Sequence, residues 1–238
     1  ATNKPSQNGE APRPIWYRSS MITQLSRRAR ILWIAVPSAL VVLCLAGMFY
    51  LNHEPPPFNP VARATVHAQA HGHQVVPGYT TTATLIETVD VLLNKRGGYL
   101  SNDILPPWVF LDNVPNWEFG VLTQVRDLAR AMRNDFSRSQ TQSTEDLDLS
   151  EADPLFHYDN GRWIPPDTEG RYRNGVKALE RYLTRLSSPS EQTAQFYARA
   201  DNLTDWLAIV EKRLVSLSQL LSASVGQVRL NTDLSGDT

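Results

Sequence analysis

The stretch that most limits what this chain can become is ILWIAVPSALVVLCLAGMFYL, residues 31–51, which is 21 residues without one charge. As a helix it rises about 30 Å, the thickness of a bilayer's hydrocarbon core. A soluble surface helix keeps one polar face, and this run is apolar all round. Pro37 and Gly47 weaken a soluble helix but are tolerated in membrane spans. Trp33 and Tyr50 sit near its two ends, where amphipathic rings favour the headgroup level. The sequence therefore predicts a transmembrane helix over 31–51.

The flanks predict its direction. Arg18, Arg27, Arg28 and Arg30 precede the run, whereas His53, Glu54 and Pro55–Pro57 follow it. Positive charge near a span's end stays in the cytoplasm. Residues 1–30, with a net charge of +5, are expected to be a cytoplasmic tail, and Arg27, Arg28 and Arg30 are the orientation-setting residues. Residues 55–238, with a net charge of −5, are expected to be exported. In a bacterial inner membrane that places a domain of about 185 residues, enough for one ordinary core, in the periplasm. A cleaved signal peptide is the rival reading. Its apolar region is usually about 7–15 residues long; this one is longer, and the small-x-small sites at Ala62–Ala64 and Ala68–Ala70 lie far beyond it. Cys44, the single cysteine, lies inside the run, so the exported part has no disulfide to use. An acidic domain offers no electrostatic case for binding nucleic acid.

Along the chain, residues 1–17 read as a disordered tail, and 21–30 as a short interfacial helix leading into the span. Residues 52–78, opening on a proline run, read as a Pro-rich linker that holds the domain off the bilayer. His67, His71 and His73 fall there. The i, i+4 pair suggests a metal site, but no Cys, Asp or Glu lies close to complete it, and Gly72 and Pro77 argue against a helix. The expectation is a solvated linker, with no metal and no cofactor.

A helical domain is expected over 79–230, with a polar tail over 231–238. Leu85, Val89 and Leu92 share a face of a helix over 79–96, capped by Thr80–Thr82 and ended by Gly97-Gly98. A second helix over 118–138 repeats Val121, Val125, Leu128 and Met132, while Arg126, Arg130 and Arg133 point elsewhere. Residues 137–146 read as an exposed connection. Over 144–170, Asp146, Asp148 and Ser150 open like a calcium loop, but Glu151 stands where glycine is needed and His157 where glutamate is. A short hairpin turning at Asp159-Asn160-Gly161 is expected instead, packing its aromatic residues on the helices. A third helix runs over 168–187 on Tyr172, Val176, Leu179, Leu183 and Leu186. A fourth runs over 190–228, where Phe196, Ala200, Leu203, Leu207, Val210, Leu214, Leu217 and Leu221 keep the spacing of helices packed at a shallow angle. Trp206, Ile209 and Leu220 widen that stripe. This favours an intramolecular bundle, with a homodimeric coil through 196–221 as the alternative.

The aromatic loop over 99–120 carries Trp108, Phe110, Trp117 and Phe119, and the hairpin carries Trp163. These five are the candidate partner-facing residues, since exposed aromatic clusters mark contact surfaces; packing onto the core is the other reading. For catalysis there is no phosphate-cradling glycine loop and no strained nucleophile elbow. His157, with Asp153 and Asp159 nearby, is the sole histidine in the folded part. Glu118, Asp127, Asp135, Glu180, Glu191, Asp205 and Glu211 are expected on polar helix faces, with nothing marking a catalytic pair. Asn202-Leu203-Thr204 matches a glycosylation acceptor inside a periodic helix and reads as chance.

The segments NHEPPPFNPV, GYTTTATLIETVDVLLNKRGGYLSNDILPPWVFLDNVPNWEFGVL and FHYDNGRWIPPDTEGRY resemble an uncharacterised family of proteobacterial inner-membrane proteins, domain of unknown function 2333. The resemblance implies a location and no assigned activity. It also implies a further helical segment beyond Thr238. The sequence thus predicts a mainly α protein: one membrane helix, then a periplasmic helical bundle with a small aromatic element. The expected role is non-catalytic, as an accessory, scaffold or assembly subunit whose partners are the lipid bilayer and other membrane or periplasmic proteins. The alternatives are an anchored enzyme acting on glycan or peptide through His157, and a bundle that binds lipid or another apolar ligand between the 172–186 and 196–221 helices.

Overall fold

The computed structural model describes residues 27–139, 144–189 and 193–226, excepting the side chains of 27–30 and 225–226. The tail over 1–26, most of the interfacial stretch before Arg30, the centre of the 137–146 connection and the tail over 231–238 lie outside the described residues. The chain divides into two units, Ala1–Gly47 and Met48–Thr238. Seven α-helices and no strands occur among the described residues.

Helix α1 spans Arg27–Leu51 with Pro37 inside it. Residues Ile31–Leu51 are long and apolar enough to cross a membrane. The Ser38 hydroxyl donates to the Ile34 carbonyl (2.8 Å), so this polar group is satisfied within its own helix.

In the second unit, α2 (Pro60–His71), α3 (Tyr79–Asn94), α4 (Asn113–Ala131), α5 (Leu147–Phe156), α6 (Thr168–Ser187) and α7 (Ala200–Gly226) follow in order. The core lies among α3, α4, α5 and α6. Its fully buried side chains include Leu85, Leu92, Leu122, Met132, Leu149, Phe156, Tyr172, Leu179 and Tyr182. Asp146 caps α5 by accepting from the Asp148 and Leu149 amides (3.0 and 3.3 Å), and Asp167 caps α6 by accepting from the Gly170 amide (3.2 Å). Gly175 of α6 lies against Phe156 of α5: a Cβ there would sit 2.8 Å from the ring. The two helices pack at that point because glycine leaves room for the ring.

The 52–78 stretch is not a linker throughout. Asn59 caps α2 by accepting from the Ala62 amide (3.0 Å), Pro60 starts it, and Gly72 at φ +67° ends it. Gly72 ends this helix instead of preventing it, and Pro77 lies beyond it, next to the Gly78 that precedes α3. Only Ala64 and Ala68 of α2 are buried, so α2 lies flat on α3 through small side chains. The cap of α3 also differs from expectation: Gly78 at φ +87° precedes the first turn, and the Thr82 and Thr84 hydroxyls donate backwards to the Gly78 and Thr80 carbonyls.

Residues 157–167 form no hairpin. Side chains engage their backbone groups in place of a ladder, among them Thr168 Oγ1, which donates to the Asp159 carbonyl (2.7 Å). Arg126 of α4 donates to the carbonyls of Phe156 and Tyr158 (both 2.8 Å), and Thr168 Oγ1 accepts from the Arg162 amide (3.1 Å). The Asp159 turn survives, with Asp159 Oδ1 accepting from the Gly161 amide (3.0 Å).

Helix α4 passes into a single π turn, Met132–Phe136, closed by the Ser137 amide on the Met132 carbonyl (3.0 Å). As the last carbonyls of the helix, those of Asp135 and Phe136 have no partner within it and take donors from the strap that leads to α7. Phe136 O accepts from the Tyr197 amide (2.7 Å), and Asp135 O accepts from Asn202 Nδ2 (2.7 Å). Phe136 and Phe196 stack at 5.0 Å. Asn202 is buried in this joint, which removes it as a glycosylation acceptor.

Helix α7 departs most from expectation. Its periodic stripe is not packed into the bundle. Trp206, Val210 and Arg213 are half-buried, and Arg213 makes a two-pronged pair with Asp127 of α4 (both 2.9 Å). From Leu214 to Ser224 every residue is exposed. The buried faces of α3–α6 are taken up by one another, so α7 meets the bundle chiefly at α4 and only along its first half.

Candidate functional site

The five aromatic residues expected at a contact surface separate into two groups. Trp117 is half-buried against the main core, and Trp108 is half-buried against a smaller cluster of Leu51, Leu100, Leu111 and Val114. Phe110 (64 %), Phe119 and Trp163 (56 %) stay exposed. Trp163 does not pack on the helices as the hairpin reading required, because the 157–167 turn is held by backbone contacts to Arg126 and Thr168 instead. Arg27, Arg28 and Arg30 fall in the first turn of α1.

The small cluster joins the last turn of the apolar run to the domain. Leu51 is only 7 % exposed and packs with Leu100, Leu111 and Val114, with Met48 beside it. Gly97, at φ +84°, makes room for this contact: a Cβ there would lie 2.5 Å from Leu51 Cδ2. The turn that carries Gly97 is fixed from beneath by a buried ion pair. Lys95 and Glu118 side chains are 3 % and 0 % exposed and bonded to each other. Glu118 also accepts from the Leu100 amide (2.8 Å), the Ser101 amide (2.7 Å) and the Ser101 hydroxyl. Lys95 donates further to the Leu92 (3.2 Å) and Gly98 carbonyls. Burial pushes the Lys95 ammonium below its usual range, and the Glu118 charge pulls it back. Glu118 therefore lies in the interior and not on a polar helix face. Residues 23 apart share no periodicity, so no sequence signal joins them.

The three histidines of the supposed linker come together around Tyr79. His67 and His71 stack at 4.3 Å, and the Nδ1 atoms of His67 and His73 lie 2.9 and 3.2 Å from the buried Tyr79 hydroxyl. The hydroxyl has one proton, so it donates to one ring and accepts from the other. Burial, then the neighbouring rings, hold His67 and His73 below the ordinary histidine pKa of 6.5. Among the described residues no group of three or more His, Cys, Asp or Glu is placed to hold a metal ion.

His157 has both ring nitrogens engaged. Nδ1 lies 2.9 Å from the Asp153 carbonyl and 3.0 Å from Asp153 Oδ1, and Nε2 accepts from Arg130 Nη2 (2.7 Å). Arg133 holds Asp153 and Glu145 (3.0 and 2.8 Å), and Arg185 holds Asp146 and Asp148. These arginines clamp α5 between α4 and α6. An apolar cleft of about 450 Å³ opens beside the start of α7, lined by Leu128, Phe136, Phe196, Leu203 and Trp206. It borders α3, α4 and α7, and no residue of the 172–186 helix lines it.

The profile of a family described as an uncharacterised protein conserved in bacteria, DUF2333, matches residues 25–238. The chain belongs to this family. No curated protein and no solved structure is significantly similar to this DUF2333 chain.

Proposed function

We propose that this DUF2333 protein is a single-pass inner-membrane protein, N-terminus in the cytoplasm and helical domain in the periplasm. In this reading it acts without catalysis, as an accessory, scaffold or assembly subunit of a membrane or envelope complex. The observation that carries the proposal is α7. Leu203, Leu207, Leu214, Leu217, Leu220 and Leu221 are about half-exposed or more on one 27-residue helix. An amphipathic helix gains most of its stability by burying its apolar face, and a continuous exposed stripe of this kind marks a contact surface. The spacing suits a second helix laid alongside, and the cleft at Phe196 and Trp206 would take one of its apolar side chains. The direction of the span rests on the arginines at 27, 28 and 30 against the acidic domain.

The test is photocrosslinking in living cells from Leu217 and Leu221, compared with Lys212 and Gln219 on the opposite face. Adducts confined to the stripe support the reading, and their mass separates a second copy from a different protein. Equal yields from both faces, or none from the stripe, refute it. A periplasm-dependent reporter fused after Thr238 is expected to be active, and an inactive one reverses the topology.

A further inference from the structure

The loop over 104–110 carries four side chains whose exposure the bundle does not explain. Ile104, Leu105 (66 %), Val109 and Phe110 all face outward. In a wholly aqueous setting such a patch is a liability. Its position supplies the reason for it. Leu51 is the last residue of the apolar run, and Leu100, Leu111 and Trp108, at the base of this loop, pack around it. Phe110 and Leu111 line a shallow cleft together with Met48, Phe49 and Asn52 of the run's final turn. The loop thus lies beside the final turn of the run.

We infer that residues 104–110 form a foot inserted into the outer surface of the bilayer, and that lipid covers this patch. The inference rests on α1 being a membrane span. The surroundings suit an interface between acyl chains and headgroups. Tyr50 carries the Arg96 guanidinium over its ring at 5.6 Å, and an aromatic ring with an exposed cation is the pairing favoured at headgroup level. Short apolar segments bind at the acyl boundary by burying their side chains there, without crossing. In this reading the 104–110 loop meets lipid beside the last turn of the apolar run.

The experiment uses the full chain with Cys44→Ala, reconstituted in vesicles of phosphatidylethanolamine and phosphatidylglycerol. Nitroxide labels are placed singly at Leu40→Cys, Leu105→Cys, Phe110→Cys and Leu147→Cys. Collisions with oxygen report lipid, and collisions with a water-soluble nickel chelate report water. Labels at 105 and 110 are expected to favour oxygen, at a shallower depth than 40, while 147, exposed on α5, favours nickel. If 40 reads lipid while 105 and 110 read water, the foot is overturned and the span stands. If 105 and 110 are shielded from both reagents, protein covers them and the inference is again overturned. If 40 reads water, the span itself fails and the foot with it.

Discussion

The buried pair of Lys95 and Glu118 gives the sharpest energetic test of how the 95–101 turn is held. Glu118→Ala removes an acceptor used by four donors: the Lys95 ammonium, the Leu100 and Ser101 amides and the Ser101 hydroxyl. Breaking a buried ion pair from one side costs about 3–5 kcal/mol, because the remaining charge stays desolvated. Each orphaned buried amide adds about 1–3 kcal/mol where the loop cannot turn to water. Lys95→Met is milder. Glu118 keeps its two amide donors and the hydroxyl, so the expected cost is about 1–3 kcal/mol. The double variant should cost at least about 1 kcal/mol less than the two losses added, since the partners are in direct contact. The assay is urea unfolding of the full chain in mild detergent, followed by far-ultraviolet circular dichroism. A domain of this size has about 5–15 kcal/mol in hand, so Glu118→Ala takes a large share of it. A loss under about 1 kcal/mol for Glu118→Ala, or strict additivity of the pair, refutes the assignment of this contact as the clamp on the 95–101 turn.

Other expectations follow from the same structure. Gly97→Ala forces a left-handed φ on a side chain and drives a methyl into Leu51, so it should lower stability by about 1–2 kcal/mol or more. Gly120→Ala, in the interior of α4 with open space around it, should raise stability by about 0.5–1 kcal/mol; the opposite signs are read from unfolding midpoints. His67 and His73 bind protons more weakly folded than unfolded, so their contribution is complete above the ordinary pKa of 6.5 and is lost as pH falls below it through their lowered values. A fall in unfolding midpoint between pH 7.5 and 5 that is smaller in the His67→Gln/His73→Gln variant would bear this out, and an unchanged slope would not. Asn202→Ala removes donations to the Asp135 and Tyr197 carbonyls (2.7 and 3.2 Å). It should cost about 1–3 kcal/mol and speed tryptic cleavage at Lys212 and Arg213.

The helices that the sequence located best are those with large buried side chains at regular spacing. Helix α6 runs over Thr168–Ser187 as expected, because Asp167 caps it and Tyr172, Leu179 and Leu183 point inward. Helix α2 was illegible because its buried residues are Ala64 and Ala68, which leave no apolar stripe to read. Helix α5 was obscured by Pro154 in its last turn and by acidic residues whose arginine partners lie on α4 and α6. The stripe of α7 was plain, but periodicity says only that a face is apolar and not what covers it. The same limit applies at the candidate surfaces. Composition marked 99–120 as adhesive, yet only the three-dimensional contacts divide Trp108 and Trp117, which serve the interior, from Phe110 and its neighbours Ile104 and Leu105, which do not.

The π turn at Met132–Phe136 makes the aim of α7 depend on the number of residues in one loop of helix. Each residue of an α-helix turns the chain by about 100°. Removing one residue there would restore ordinary winding and rotate the Asp135 and Phe136 carbonyls away from Asn202 and Tyr197. The long arm would then leave the bundle along a different bearing and present its leucines in another direction.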